Sequence, residues 1–306
     1  MNACDVLVVG GGPAGSSCAR RLTQAGLDVL LVDRAAFPRD KVCAGWITPQ
    51  VVADLALDID DYRQGRTFQP ITGFRTGLIG RTRAAETRYG DPVSYGIRRC
   101  EFDHYLLKRS GARLRLGEGV VSLRRDRARA RWIVNEQIET PMLVGAGGHF
   151  CPVARAIHPD AGGAALVVAQ EAEVPIDDGR SRGWITAPEM PELYFAGDLK
   201  GYGWVFRKGR FLNIGLGRVD RHSLPKATAD FIAFLRAQQR IPADAPLRWR
   251  GHAYLLSSGR RRTVDEGVVL AGDAAGLAYP ASGEGIRPAI ESGLLAASVI
   301  VAVKGD

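Results

Sequence analysis

The strongest pattern in the chain is a set of short apolar runs with no polar alternation. Val6 to Val9 is continuously apolar and stops at Gly10. Asp28 to Val32 is a second such stretch, ending at Asp33, and Val268 to Ala271 is a third near the other end. Runs of this kind predict strands of a parallel sheet, buried on both faces. Met142 to Gly145 resembles a fourth. Between the first two, Pro13 to Ala25 reads as a helix with Gly26 where a C-terminal cap belongs, so the chain is predicted to open with a βαβ unit.

The pattern then changes. From Phe68 to Ile97 short strands are separated by Gly and Pro, and further short strands follow a helix over Glu101 to Ser110. Ala165 to Val174, Leu193 to Ala196 and Phe211 to Leu216 read as strands of a second sheet. Ala227 to Gln239 reads as an amphipathic helix and a long helix closes the chain. Because the central-strand pattern returns only at Val268, the first domain is predicted to be interrupted by the second.

Composition narrows the function classes. The 306 residues are 46% hydrophobic, enough for a sizeable core, and the net charge is +8. A basic balance points to anionic ligands or an anionic surface. The arginines are scattered, and no basic helix or aromatic stripe suggests a nucleic-acid partner. The five cysteines, Cys4, Cys18, Cys43, Cys100 and Cys151, lack metal-ligand spacing, and an odd count argues against a disulfide framework. That predicts no metal site and a reducing, cytoplasmic setting. The apolar pattern starting at Val6 leaves no room for a charged leader. Ala289 to Val303 is read as too short to span a bilayer, so membrane contact, if any, is expected to be peripheral.

Two glycine-bearing segments carry the chemistry. Gly10-Gly11-Gly12-Pro13-Ala14-Gly15 fits G-x-G-x-x-G between a strand and a helix, with Asp33 following 18 residues after Gly15. Gly10 permits a sharp turn, Gly12 lets the backbone approach a pyrophosphate, and Gly15 lets helix and strand pack closely. The helix N-terminus offers amide groups to the pyrophosphate, and Asp33 can accept from a ribose hydroxyl. This motif alone leaves NAD and FAD open. At the other end, a strand finishes at Gly272-Asp273 and the chain continues through Tyr279-Pro280-Ala281-Ser282-Gly283-Glu284-Gly285-Ile286 into a helix. Asp273 there can bind hydroxyls of a ribityl chain. The backbone from Gly283 to Ile286 can lie against a flavin ring, where the helix dipole favours negative charge.

These end motifs resemble the first and last flavin motifs of the para-hydroxybenzoate-hydroxylase-like fold. Three segments resemble its geranylgeranyl reductase family: Phe37 to Gly45 (F-P-R-D-K-x-C-G-G), Gly201 to Gly209 followed by Asn213 to Gly217 (G-Y-x-W-x-F-P-K with N-x-G-x-G), and Asp273 to Gly285. The sequence departs from that pattern at Ala44, at Arg207, and at Gly147, which replaces an acid that hydroxylases use.

The resemblance implies a Rossmann-like FAD/NAD(P)-binding domain over 1–67, 93–160 and 262–306. A mostly antiparallel substrate domain over 68–92 and 161–261 would interrupt it, giving an α/β fold with α+β character. It implies non-covalent FAD held by Gly10, Gly12, Pro13, Ala14, Gly15, Asp33, Arg34, Lys41, Cys43, Ala44, Arg99, Gly272, Asp273, Pro280, Gly283, Gly285 and Ile286. NAD(P)H is the expected transient electron donor.

Cys43 and Trp204 are the expected catalytic residues, with Lys41 offering a positive charge near the thiol. His149 and Cys151 are further candidates. Trp204 and Phe206 share one strand face and would line a pocket for a small apolar, isoprenoid-like substrate. The leading expectation is a reductase or dehydrogenase passing hydride between flavin N5 and that substrate. A monooxygenase and a non-catalytic redox carrier are the alternatives. Only one tryptophan of the halogenase W-x-W-x-I-P motif is kept, which speaks against halogenation. Oligomeric state is not legible.

Overall fold

The computed structural model describes residues 2–158, 166–176, 186–257 and 261–305. The apolar runs form one six-stranded sheet in the order Val264–Asp265, Val268–Leu270, Met142–Gly145, Val6–Val9, Val29–Asp33, Arg113–Leu116. Every pairing is parallel except at the Val264–Asp265 edge. Val6, Leu7, Val8 and Leu31 are fully buried because helices or other strands cover both sheet faces. Burying each such side chain stabilises by about 1.5–3 kcal/mol.

The first helix, Pro13–Gln24, and the closing helix, Ile286–Gly305, cover one face together. They approach closely because Gly293 faces the first helix: a Cβ there would lie 2.3 Å from the Ala14 carbonyl oxygen. The closing helix corrects an expectation. It runs over 20 residues, with a mean hydropathy of 1.6 in its most apolar stretch, so length does not exclude a membrane span. Packing accounts for part of the composition: Ala289, Ala296, Ala297 and Ile300 are buried in the same core as Ala14, Cys18 and Leu22, whereas Leu295, Val299 and Val303 on the same helix are exposed.

The second sheet has seven strands in the order Arg250–Leu255, Leu166–Pro175, Phe211–Arg218, Gly201–Lys208, Glu192–Phe195, Gly73–Leu78, Ala84–Arg88. It is antiparallel except where Glu192–Phe195 runs parallel to Gly73–Leu78. The expected start of its long strand at Ala165 lies outside the described residues. Helix Leu224–Ala237 packs Phe231 and Leu235 against one face of this sheet. The other face turns toward the six-stranded sheet. Two smaller sheets complete the fold. One joins Asn2–Ala3, Ile138–Thr140, Arg131–Val134 and Leu123–Asp126; the other joins Trp46–Ile47, Ser94–Ile97 and Phe68–Ile71. The architecture is α/β with a Rossmann-like sheet and a second, mostly antiparallel sheet.

Candidate active site

The first strand delivers the chain to Gly10 with φ +113°, and a Cβ there would sit 2.3 Å from the Ala146 carbonyl oxygen. At Gly15 a Cβ would lie 1.8 Å from the Gly10 oxygen, so only glycine allows this strand–helix contact. At Gly12 the nearest atom is a guanidinium nitrogen of Arg39, 3.4 Å from a Cβ position. The turn is therefore open outward and overlooked by a cation. Asp33 accepts from the Gly11 amide at 2.7 Å and the Ala35 amide at 2.8 Å, fixing the turn and presenting its carboxylate to the cleft. Among the described residues no side chain caps the first helix, so its leading amides remain available to an anion.

The second glycine segment meets the first. A Cβ on Gly272 would be 3.1 Å from that of Ala14. Beside it, Asp273 pairs with Lys41 at 3.1 Å and lies 4.0 Å from His252 Nε2. Burial works to raise the Asp273 pKa, but the charge and hydrogen bond of Lys41, helped by nearby His252, outweigh it and hold the carboxyl well below the usual range. Gly283, at φ +70°, lets the tyrosine oxygen of Tyr254 come within 2.4 Å of where a Cβ would be. Arg99 is buried and gripped by Asp103 through two bonds of 2.8 Å, and the same carboxylate holds Arg39 at 3.0 Å.

Between these elements and the seven-stranded sheet lies a cavity of about 820 Å³, at the upper end of the roughly 300–1,000 Å³ usual for ligand sites. Gly10, Gly12, Pro13, Ala14, Asp33, Arg34, Lys41, Cys43, Ala44, Arg99, Gly272, Asp273, Gly283, Gly285 and Ile286 all border it. Gly15 lies behind the turn, in contact with Gly10, and Pro280 is not part of the wall.

The opposite wall is aromatic. Leu193, Phe195, Tyr202, Trp204 and Phe206 present one sheet face to the cavity, and Trp46 stacks on Phe74 at 4.9 Å beside Phe206. Trp204 is fixed from behind. Its indole N–H donates to Asn213 Oδ1 at 2.7 Å, and Asn213 Nδ2 donates to Glu171 Oε2 at 3.2 Å. The backbone N–H of Cys43 lies near the Glu171 carboxylate and favours its charged form. Burial raises the Glu171 pKa, opposed by that amide and by Lys208. Gly215 makes room for the ring, since a Cβ there would lie 2.1 Å from Trp204 Cζ2. The N-x-G-x-G run is thus a socket for the tryptophan.

These residues fit a bound flavin dinucleotide. The open glycine turn and free helix amides suit a diphosphate, and Asp33 suits a ribose. Buried polar atoms of His149 (Nδ1), His252 (Nε2) and Glu284 (Oε1) at the cavity have no hydrogen-bond partner among the described residues. Comparison with known proteins decides the family. The FAD-binding domain family matches residues 3–305. The geranylgeranyl diphosphate reductase of Rhodobacter capsulatus is 30% identical, covering 97% of this chain and 75% of its own. The chain belongs to the geranylgeranyl reductase-like FAD-binding family. The menaquinone reductase of Mycobacterium tuberculosis strain H37Rv is 28% identical, covering 98% of this chain and 77% of that protein. A solved geranylgeranyl bacteriochlorophyll reductase-like protein from Thermoplasma acidophilum shares the fold, with a TM-score of 0.81 and 22% identity over 100% of this chain and 79% of its own. As a member of this family the chain is an FAD-dependent oxidoreductase.

Within the reductase-like family pattern, several expectations need correction. Lys41 is paired with Asp273, and the cation beside the Cys43 sulfur is Arg99. Arg99 in turn spends two of its donors on Asp103 rather than offering all of them to a ligand. Cys151 is fully buried beneath Gly147 and does not border the cavity. His149 does border it, with its pKa lowered mainly by burial. Arg39, Asp103, Glu171, Asn213, His252, Tyr254 and Glu284 were not singled out from the sequence as site residues. Arg39, Asn213 and Glu284 lie inside the quoted family motifs, and Asp103 stands four residues after Arg99 on a helix; Glu171, His252 and Tyr254 carried no such signal.

Proposed function

We propose that the chain reduces a C=C bond or a quinone-type ring of a neutral, apolar acceptor bearing an isoprenoid tail. The observation that carries this reading is the aromatic wall opposite the glycine turns, five apolar side chains on one face with no cation among them. Such a wall binds an apolar ring or chain and excludes water. FAD, when bound, supplies the hydride at N5, after reduction by NAD(P)H or another donor.

The chain's own residues divide the remaining work. Gly10, Gly12, Asp33, Arg39 and Arg99 hold the dinucleotide; Asp273, Lys41, Gly283 and Gly285 hold its flavin end. Trp204, set by Asn213 and Glu171, orients the acceptor. Cys43, whose amide lies near the same Glu171, borders the reacting centre. Glu284 borders the cavity with its pKa raised, chiefly by burial, and can hold a proton for the reduced acceptor. We assign residues 1–67, 93–160 and 262–306 to cofactor binding and 68–92 and 161–261 to acceptor binding. The five cysteines are free thiols, which suits a reducing, cytoplasmic setting.

The test is anaerobic. Reduced flavoprotein mixed with a short-chain menaquinone or a geranylgeranyl compound should reoxidise within turnover time, and Trp204→Ala should slow this with FAD retained. Reoxidation by neither class, with oxygen alone accepting electrons, would overturn the proposal.

A further inference from the structure

The cavity's aromatic face does not stop at its mouth. Phe195 borders the cavity and is 40% exposed, and Leu78, its register partner on the neighbouring strand, is 42% exposed on the same sheet face. The same end of the sheet carries two more apolar side chains in solvent. Leu199, in the turn that follows Phe195, is 76% exposed, and Val219 follows the paired strand. The Val219 amide donates to the Lys200 carbonyl, which ties these two tips together. Leu199 holds φ +56°, a conformation that glycine or asparagine adopts at less cost, yet a large apolar residue stands there.

Basic side chains frame this end: Arg81 and Arg83 in the hairpin after Leu78, Lys200 beside Leu199, and Arg221 beyond Val219, all exposed. The nearby acids are engaged locally. Asp198 pairs with Arg218 at 2.8 Å, and Asp220 accepts from the Ser223 hydroxyl and the His222 amide. Apolar tips inside a cationic frame, continuous with an apolar cavity, match an anionic lipid surface: the tips enter the acyl boundary while the cations meet headgroups.

We propose that the rim formed by Leu78, Phe195, Leu199 and Val219, with Arg81, Lys200 and Arg221, docks the protein on an anionic bilayer so that its apolar acceptor enters the cavity directly from the lipid. This rests on the acceptor class proposed above, but its test reads binding and not turnover.

The FAD-loaded full chain is sedimented with vesicles of phosphatidylcholine alone and of phosphatidylcholine containing phosphatidylglycerol. Binding should occur to the anionic vesicles only and fall as salt rises. Lys200→Glu/Arg221→Glu and, separately, Leu199→Ser/Val219→Ser should each weaken it about tenfold or more. The flavin spectrum and the reduction of a water-soluble short-chain quinone should stay unchanged in these variants, which excludes misfolding. Binding to neither vesicle, equal binding to both, or undiminished binding by the Leu199→Ser/Val219→Ser variant overturns the docking surface. So does a solution dimer that these variants dissociate. If vesicles bind as expected but no acceptor reoxidises the reduced flavin, the proposed function fails and the docking surface stands.

Discussion

The two walls of the cavity are built by opposite means. The dinucleotide wall consists of backbone: Gly10, Gly12, Gly272 and Gly283 matter for the side chains they lack, because a Cβ would strike a neighbour or fill the approach. The acceptor wall consists of side chains, and Trp204 keeps its pose only because Asn213, Glu171 and Gly215 hold it from behind. The first wall should fail when atoms are added and the second when atoms are removed.

The sharpest test of that contrast adds one methyl. Gly15→Ala places a Cβ 1.8 Å from the Gly10 oxygen. It should cost more than about 4 kcal/mol and leave little FAD-loaded protein, read by thermal melting and flavin absorbance. Asp103→Ala comes next. It strips the shared partner from Arg99 and Arg39 and should cost about 3–5 kcal/mol, since buried Arg99 loses its charge partner. An Asp103→Ala protein that melts like the parent and keeps its flavin would show that the arginine clamp is ornamental.

On the acceptor side, Asn213→Leu orphans the indole N–H and Glu171. It should cost about 2–3 kcal/mol and cut acceptor reduction while FAD affinity is kept. Equal loss of flavin and of acceptor reduction would erase the distinction between the walls. The smallest effect concerns His252, whose pKa is lowered mainly by burial, with Asp273 pulling the other way. Below pH 6.5 the unfolded chain takes up this proton before the folded one, so stability falls as pH drops through that window. The slope is at most about 1.4 kcal/mol per pH unit. A His252→Gln protein should show a flatter melting profile over pH 5–7, measured in the same buffer series.

The same contrast explains what could be read beforehand. Gly10 to Gly15 and Asp33 were legible because glycine demands are local: the strand, turn and helix that need them are contiguous. The apolar runs gave the central sheet for a similar reason, since burial on both faces removes polar alternation. The Asn213 to Gly217 motif was legible, but the link from Asn213 to Glu171 behind Trp204 was not, because the two stand 42 residues apart and become neighbours only through antiparallel pairing. Arg39 and His252 were missed likewise: their partners, Asp103 and Asp273, arrive from other elements. Lys41 was read as a neighbour of Cys43 because it is close in sequence, whereas its charge is spent on a residue 232 positions away.

One contact has a consequence for biogenesis. Gly293 seats the last helix against Ala14, and Val268–Leu270 enters the parallel sheet beside Met142–Gly145. A ribosome that has made the glycine turn must still synthesise more than two hundred residues before the turn's packing partner exists. The cleft is therefore complete only once Val268–Leu270 and the helix Ile286–Gly305 have been made, and nascent chains stalled before that helix emerges carry an unfinished nucleotide cleft for quality control to find.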